Sequence, residues 1–504
     1  MVIKKNILVP FFVFSLLSSM TFGANPLRGE GLKAFQQKLY PKAVLSFYNW
    51  SRQTKNLDEK KEAKFYLGIA LSKLDLLQVA TFPLIDVVRS GPGKYRSRAL
   101  NQLALYANRL DEKALLKYTV SKLTPGDLTE LSKSAFYLNL SEISDSQNEL
   151  DKSFEWAQKS LEANPKNEEA LYQLASLSLK KQKPQDALIY FSQLFERYQN
   201  KSLADKKRGL LLMNIARTYY QMKEWDKAVE FYRQVPRDHS HYRNTLQELS
   251  WALFRGGNLR SALSPLQTLM TPFYSQFFDP ETMVLSSSIY IFSCQHNESL
   301  RDAEVFEKNY LPAIGQIDAW LKGHRTEEDS YNELIKAQKS LDNMNKTGVI
   351  ESQGSLPFFV LRSIIAEPDI QGGLRYLKRL EKESAMLSRD FAGTKFINYG
   401  KRIIKGRAIS AKKKLAADVQ YYLKSYLTTT MNMADQISFI KYEALDGLKN
   451  QLKVKIVGPL DSVEADFSRD YYAQNGYRYW PFEGEYWRDE IGSYQYVGVN
   501  RCEK

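Results

Sequence analysis

The residues best suited to chemistry are few in this chain, and their spacing does not assemble a reactive centre. The four histidines are His239, His241, His296 and His324. His239 and His241 are two apart in a segment after Pro236, with no nearby third and fourth ligand to complete a tetrahedral metal set. No G-x-x-x-x-G-K-[ST] phosphate cradle or G-x-S-x-G elbow occurs. The glycines between 393 and 406 follow no strand pattern and make no dinucleotide fingerprint. Glu483, Glu485, Asp489 and Glu490 lie among aromatic residues, where paired carboxylates could cleave glycosidic bonds. Such sites draw their acids from separate strands of a large scaffold, and this sequence has no pattern for one. The expectation is a protein that is not an enzyme and needs no cofactor or metal.

Two segments are better suited to binding. Between Arg375 and Lys455 there are 18 Lys and Arg against 7 Asp and Glu, which is +11 of the net +14. The run centres on Lys401, Arg402, Lys405, Arg407, Lys412, Lys413 and Lys414, with no acidic residue among them. Such a run suits an anionic membrane surface, an anionic cell-wall polymer or an acidic protein, and its plainest reading is a solvated helix face. The second segment holds eleven aromatics between Phe467 and Tyr496, Trp480 and Trp487 included. Trp and Tyr offer a large contact area at small entropic cost, and they also stack on sugars. A structural tail ending in a short hairpin is the first expectation, and a carbohydrate site is the second.

The elements that must position these residues follow from a periodicity. Ala43, Ala80, Ala114, Ala187, Ala228, Ala262 and Ala303, with Ser153 in the gap, are separated by 37, 34, 39, 34, 41, 34 and 41 residues. A small residue lets two antiparallel helices cross closely. A polar turn lies about five residues before each, as in Lys183-Pro184-Gln185-Asp186 and Gly256-Gly257-Asn258. Four residues after it comes a large side chain in most cases: Phe47, Leu84, Tyr118, Phe191, Tyr232 or Leu266. Helix A carries a matching pattern, as in Leu67-Gly68, Leu174-Ala175 and Ile215-Ala216. The steps longer than 34 are read either as loop insertions or as two-repeat modules.

With "NIARTYYQMKEWDKAVEFYRQVP" and "ALYQLASLSLKKQKPQDALIYFSQL", residues 27–312 resemble the tetratricopeptide repeat (TPR) superfamily, in up to eight repeats. The last candidate, Ser288–Tyr310, lacks a tidy helix A. The resemblance implies an all-α TPR α-solenoid whose concave face, lined mainly by helix A, binds a segment of another protein. Asn101, Asn214 and Arg217 are the candidate groove residues. The proline-free stretch 369–458 predicts two or three long helices, coiled-coil-like, broken by glycines at 393, 400 and 406 and packed with 313–345.

The ends set the expected compartment. Lys4 and Lys5 precede an apolar stretch from Ile7 to Leu17, with small residues through Gly23 and Ala24. This pattern predicts a cleaved signal peptide over 1–23 and a periplasmic protein, secretion being the alternative. Export argues against a nucleic-acid partner. The two cysteines, Cys294 and Cys502, could pair in an oxidising compartment, or Cys294 could be a buried small hydrophobe. The expected domains are 24–312 (TPR array), 313–458 (long basic helices) and 459–504 (aromatic tail). With "YWPFEGEYWRDEIGSY", the chain also resembles periplasmic TPR proteins of bacterial gliding-motility machinery, which implies an adaptor in an envelope complex. The alternative function is a cell-wall carbohydrate-binding protein using the tail and the basic run.

Overall fold

One three-residue turn is repeated seven times. The computed structural model describes residues 25–110, 115, 118, 119, 121, 122, 130–198, 206–274, 276–323, 325–348, 354–457 and 502, and among these it is helical with no strand. In chain order the helices are α1 (Pro26–Gln36), α2 (Tyr40–Gln53), α3 (Leu57–Lys73), α4 (Leu77–Arg89), α5 (Arg96–Leu110), α6 (Glu130–Ser146), α7 (Leu150–Ala163), α8 (Glu168–Lys180), α9 (Pro184–Tyr198) and α10 (Lys206–Gln221). They continue as α11 (Trp225–Arg233), α12 (Tyr242–Arg255), α13 (Leu259–Leu269), α14 (Pro280–Phe292), α15 (His296–Lys322), α16 (Glu327–Thr347), α17 (Phe358–Ala366), α18 (Pro368–Asp390) and α19 (Lys395–Val457).

The A/B pairs are α1/α2, α3/α4, α6/α7, α8/α9, α10/α11, α12/α13 and α14/α15. The middle residue of each connecting turn is left-handed: Lys38, Asp75, Asn148, Gln182, Lys223, Gly257 or Cys294. Its own amide donates three residues back, and the next amide donates five residues back. Leu76 N to Leu71 O (3.1 Å), Lys183 N to Ser178 O (2.9 Å) and Gln295 N to Tyr290 O (2.8 Å) are examples of the longer bond. This Schellman closure satisfies the last carbonyls of helix A and starts helix B at once.

A constant turn fixes a constant register. Each small residue on helix B meets another small residue twelve positions earlier on helix A. The pairs are Gly31/Ala43, Gly68/Ala80, Ser141/Ser153, Ala175/Ala187, Ala216/Ala228, Ser250/Ala262 and Ser287/Ser299, and all fourteen residues are buried. Where both members are serines, the crossing gains hydrogen bonds. Ser153 Oγ donates to Ser141 O (2.8 Å), and Ser299 Oγ donates to Ser287 O (3.0 Å). Farther along the α6/α7 pair, Ser134 and Ser160 each donate to the other's carbonyl (2.8 and 2.7 Å).

This register corrects the last member of the alanine series. Cys294 is the left-handed residue of the final turn, so Ser299 stands at the crossing and Ala303 lies one helical turn later, also buried. Pro280–Phe292 supplies the helix A that the sequence pattern lacked. Ala114 lies outside the described residues. The length variation falls in the links from helix B to the next helix A, which run from three residues (54–56) to ten (270–279). That distribution is what loop insertion produces.

The chain divides into two compact units, Met1–Leu110 with Glu381–Ile404, and Asp111–Leu380 with Lys405–Lys504. In the first unit α4 begins without a side-chain cap of its own. Glu383, only 1% exposed, does that work: its carboxylate accepts from Gln78 N (3.0 Å) and Val79 N (3.4 Å). A negative group there also suits the positive end of the helix dipole. Tyr48 packs on the rings of Phe396 and Tyr399 (5.2 and 5.4 Å between centroids) in the same unit.

In the second unit, residues of α19 pack on α15, α16 and the loop before α14. Lys441 pairs with Glu307 (2.8 Å), Gln420 donates to Ser330 (3.2 Å), and Tyr426 stacks on Phe278 (5.2 Å). Of the three glycines expected to break this region, only Gly393 does so, at φ +73° in the turn between α18 and α19. Gly400 and Gly406 continue the helix, because an interior glycine costs about 1 kcal/mol relative to alanine without stopping it. Cys294 and Cys502, whose pairing the sequence left open, are joined in a disulfide. The rest of the aromatic tail lies outside the described residues.

Three measurements test this architecture. Ala187→Leu is expected to cost about 1–3 kcal/mol by overpacking the crossing, and Gln185→Leu on the exposed side close to nothing, in thermal melts. Lys223→Gly is expected to stabilise by about 1 kcal/mol and Lys223→Val to destabilise, because only glycine accepts the left-handed turn without cost. Glu383→Ala is expected to destabilise by about 1–3 kcal/mol, with hydrogen exchange speeding up first at the amides of Gln78 and Val79.

Candidate protein-binding groove

Three successive A helices of the second unit, α8, α10 and α12, together with α14, carry a connected polar and aromatic surface. Tyr172 comes from α8, Asn214, Arg217 and Tyr220 from α10, Gln247, Glu248, Trp251 and Arg255 from α12, and Glu281 from α14. Asn214 Nδ2 donates to Tyr172 Oη, and Arg217 Nη1 donates to Asn214 Oδ1 (3.3 Å). Arg217 then forks onto Glu248, Nε to Oε2 at 2.7 Å and Nη2 to Oε1 at 2.6 Å. Tyr232, from the B helix α11, donates to the same carboxylate at 2.9 Å. Bidentate pairing of this kind fixes direction as well as charge.

A second set holds the next repeat. Glu281 accepts from Trp251 Nε1 and from Gln247 Nε2, both at 2.7 Å. The Arg255 guanidinium lies 5.7 Å from the centre of the Trp251 ring. Arg217, Tyr220, Tyr232, Glu248, Trp251 and Arg255 line an open cleft of about 430 Å³. The Arg217 side chain stays 44% exposed despite its three hydrogen bonds, so it can still meet a ligand.

The electrostatics follow from partial burial. The hydrogen bond to Glu248 raises the Arg217 pKa against the opposing effect of burial, so the guanidinium stays charged. Burial pushes the Tyr172 phenol up to about 12, and burial with the charge of Glu248 raises Tyr232. Burial also raises the Glu281 carboxyl, to which the nearby charges of Asp279 and Glu248 add. His241 is lowered by burial first, then by His239 and Arg217. Both phenols therefore stay neutral, Tyr172 as an acceptor from Asn214 and Tyr232 as a donor to Glu248.

The sequence candidates fall into separate groups. Asn214 and Arg217 are brought together as described. Asn101 lies on α5 in the first unit, half-buried, and is not part of this groove. Lys401 and Arg402 lie exposed on α19 in the first unit, and Lys405 lies exposed on α19 in the second. The other basic residues, all in the second unit, turn to its own side chains. Arg407 donates to Tyr376 Oη (3.1 Å), and Lys412 sits over the Tyr331 ring (5.1 Å). Lys413 faces Glu327 (3.7 Å), and Lys414 pairs with Asp418 (2.7 Å). Trp480 and Trp487 lie outside the described residues. The rings of His239 and His241 lie 5.6 Å apart and tilted by 46°, and among the described residues no group of three or more His, Cys, Asp or Glu could hold a metal.

Glu248, Trp251, Arg255 and Glu281 were missed from sequence, although a signal existed. Adding the 34-residue period to Asn214, Arg217 and Gln247 lands on Glu248, Trp251 and Glu281.

Comparison with known proteins agrees with this geometry. One tetratricopeptide-repeat family model matches residues 169–200 and 211–241, and another matches 134–167. These segments coincide with α8/α9, α10/α11 and α6/α7. No curated protein matches the chain. Among solved structures, the chain is similar to a tetratricopeptide repeat protein from Parabacteroides merdae ATCC 43184, with 17% identity, TM-score 0.33 and coverage of 50% of this chain and 93% of that one. It is similar to Pseudomonas aeruginosa pilF at 18% identity and TM-score 0.30, covering 43% and 92%. A third is the apo form of RapI, at 14% identity and TM-score 0.35, covering 71% and 98%. On its family matches and its repeated helical hairpins, the chain carries tetratricopeptide repeats over residues 134–241.

Proposed function

We propose that the protein is an exported, non-catalytic scaffold of a bacterial cell envelope, and that it holds a protein partner in the groove of α8, α10, α12 and α14. The single observation that carries this reading is the Arg217–Glu248–Tyr232 network beside Trp251 and Arg255. It is a pre-oriented, partly exposed surface built from successive repeats. Aromatic and arginine side chains held in place before binding lose little entropy when a partner arrives. Tetratricopeptide-repeat proteins bind protein partners, which supports the same reading.

Two observations support export. The Lys4-Lys5 pair followed by the apolar stretch Ile7–Leu17 has the layout of a signal peptide. The Cys294–Cys502 disulfide suits an oxidising compartment. The envelope setting and the adaptor role are part of the proposal.

The test is a photoreactive residue at position 255 in the full chain, irradiated in intact cells, with the processed N-terminus read from the fractionated protein. Expected are a mature chain beginning near Ala24 in the periplasmic fraction and adducts to one or a few envelope proteins. Arg217→Ala is expected to reduce those adducts about 10-fold, in line with loss of a hot-spot residue. Unprocessed cytoplasmic protein would overturn export. Absence of protein adducts, or adducts indifferent to Arg217→Ala, would overturn the groove.

A further inference from the structure

We propose that Arg243 and Arg362, held on the two sides of the link before α14 by the ring of Phe277, form a binding site for a phosphate-class dianion. The site is separate from the Arg217–Glu248 network and does not depend on the groove being a binding surface.

Three elements of the second unit meet at one aromatic ring. Phe277 lies in the link between α13 and α14, Arg243 near the start of α12, and Arg362 on α17. Two contacts hold the link to α17: Phe278 N donates to Ser363 Oγ at 2.8 Å, and Arg362 Nη1 donates to Gln276 Oε1. The guanidinium carbons of Arg243 and Arg362 stand 4.7 and 4.4 Å from the centre of the Phe277 ring. Sharing that centre, they are no more than about 9 Å apart. One oxyanion can span such a gap by accepting a hydrogen bond of about 2.8 Å from each fork.

The two cations lack a counterion. Among the described residues neither guanidinium forms an ion pair with a carboxylate, and Arg243 Nη1 is buried without a hydrogen-bond partner. Asp279 and Glu367 feel the charge of Arg243, yet burial raises the pKa of both carboxyls. Glu367 is also engaged by Tyr426, which donates to it at 3.3 Å. Both acids therefore compensate the arginines poorly. The Arg362 pKa is lowered by burial and then by the charge of Arg243.

A single cation on a ring is a structural contact that needs no anion. A second cation on the same ring adds repulsion, and the donor left unbonded adds the cost of a buried polar group. A dianion relieves both. It brings two negative charges to two guanidiniums, and it offers acceptor oxygens once the Arg243 side chain turns its fork towards them. A carboxylate brings only one charge, so the phosphate class is the better match.

The test places para-fluorophenylalanine at position 277 of the full-length oxidised protein and follows its fluorine resonance. Inorganic phosphate is expected to shift that resonance saturably, and to bind at least about 10-fold more tightly than acetate at matched ionic strength. Arg243→Gln and Arg362→Gln, each first shown to melt like the parent, are expected to weaken phosphate binding at least about 10-fold. If a variant melts early, the comparison of phosphate with acetate in the chain that keeps both arginines decides. Glycerol phosphate moving the same resonance would identify a monoester as the ligand, and a response to inorganic phosphate alone would identify the free ion; either result supports the site. No saturable shift, an equal response to acetate, or a shift indifferent to both substitutions would overturn it. Cross-linking through position 255 in cells is read separately, so the groove and this site stand or fall independently.

Discussion

Everything in the described structure depends on how closely two helices can cross. The turn between helix A and helix B is short, left-handed at its centre and closed by the same two hydrogen bonds each time. It leaves no slack, so the crossing occurs at one pair of residues twelve apart, and that pair must be small. Glycine, alanine and serine all satisfy the demand, and serine adds a bond to the opposite backbone. Because no hairpin buries its apolar face alone, its neighbours must supply the rest of the core, as Phe191 and Leu194 of α9 do with Leu211 and Ile215 of α10.

The groove is a by-product of that constraint. Once hairpins stack at a fixed register, nearby positions on successive A helices come side by side, and side chains 30 to 42 residues apart become partners. Arg28 with Glu62 in the first unit, and Gln247 with Glu281 in the second, are the same pair of positions in different repeats. The first is an ion pair and the second a neutral amide bonded to a carboxylate. The repeat sets the geometry, and local substitution sets the chemistry.

How much of this could be read from the sequence depends on the range of the interaction. The alanine series located the B helices because a small residue at a crossing is a local steric demand repeated along the chain. It slipped by one turn at Ala303 because Ser299 meets the demand equally well and the alanine nearby is buried too. Asn214 and Arg217 could be proposed as groove-facing places on helix A, whereas their neighbours Glu248 and Trp251 needed the repeat period applied to side chains rather than to the core. The Glu383 cap could not be read at all, since its partners lie 304 and 305 residues away. The basic run was visible as charge, but the pairing of Lys413 with Glu327 and the stacking of Lys412 on Tyr331 are tertiary facts.

The constant turn also works as a set of addresses. Its central residue belongs to neither helix, and Lys, Asp, Asn, Gln, Gly and Cys all stand there with the crossing unchanged. Six of the seven positions are not glycine, so side chains of different character are displayed at one repeated place in the hairpin. At Lys38 or Asn148 that place carries an ordinary polar group. At Cys294 it carries a sulfur, and a position with no part in the core becomes the point at which the chain is covalently fastened to its own far end.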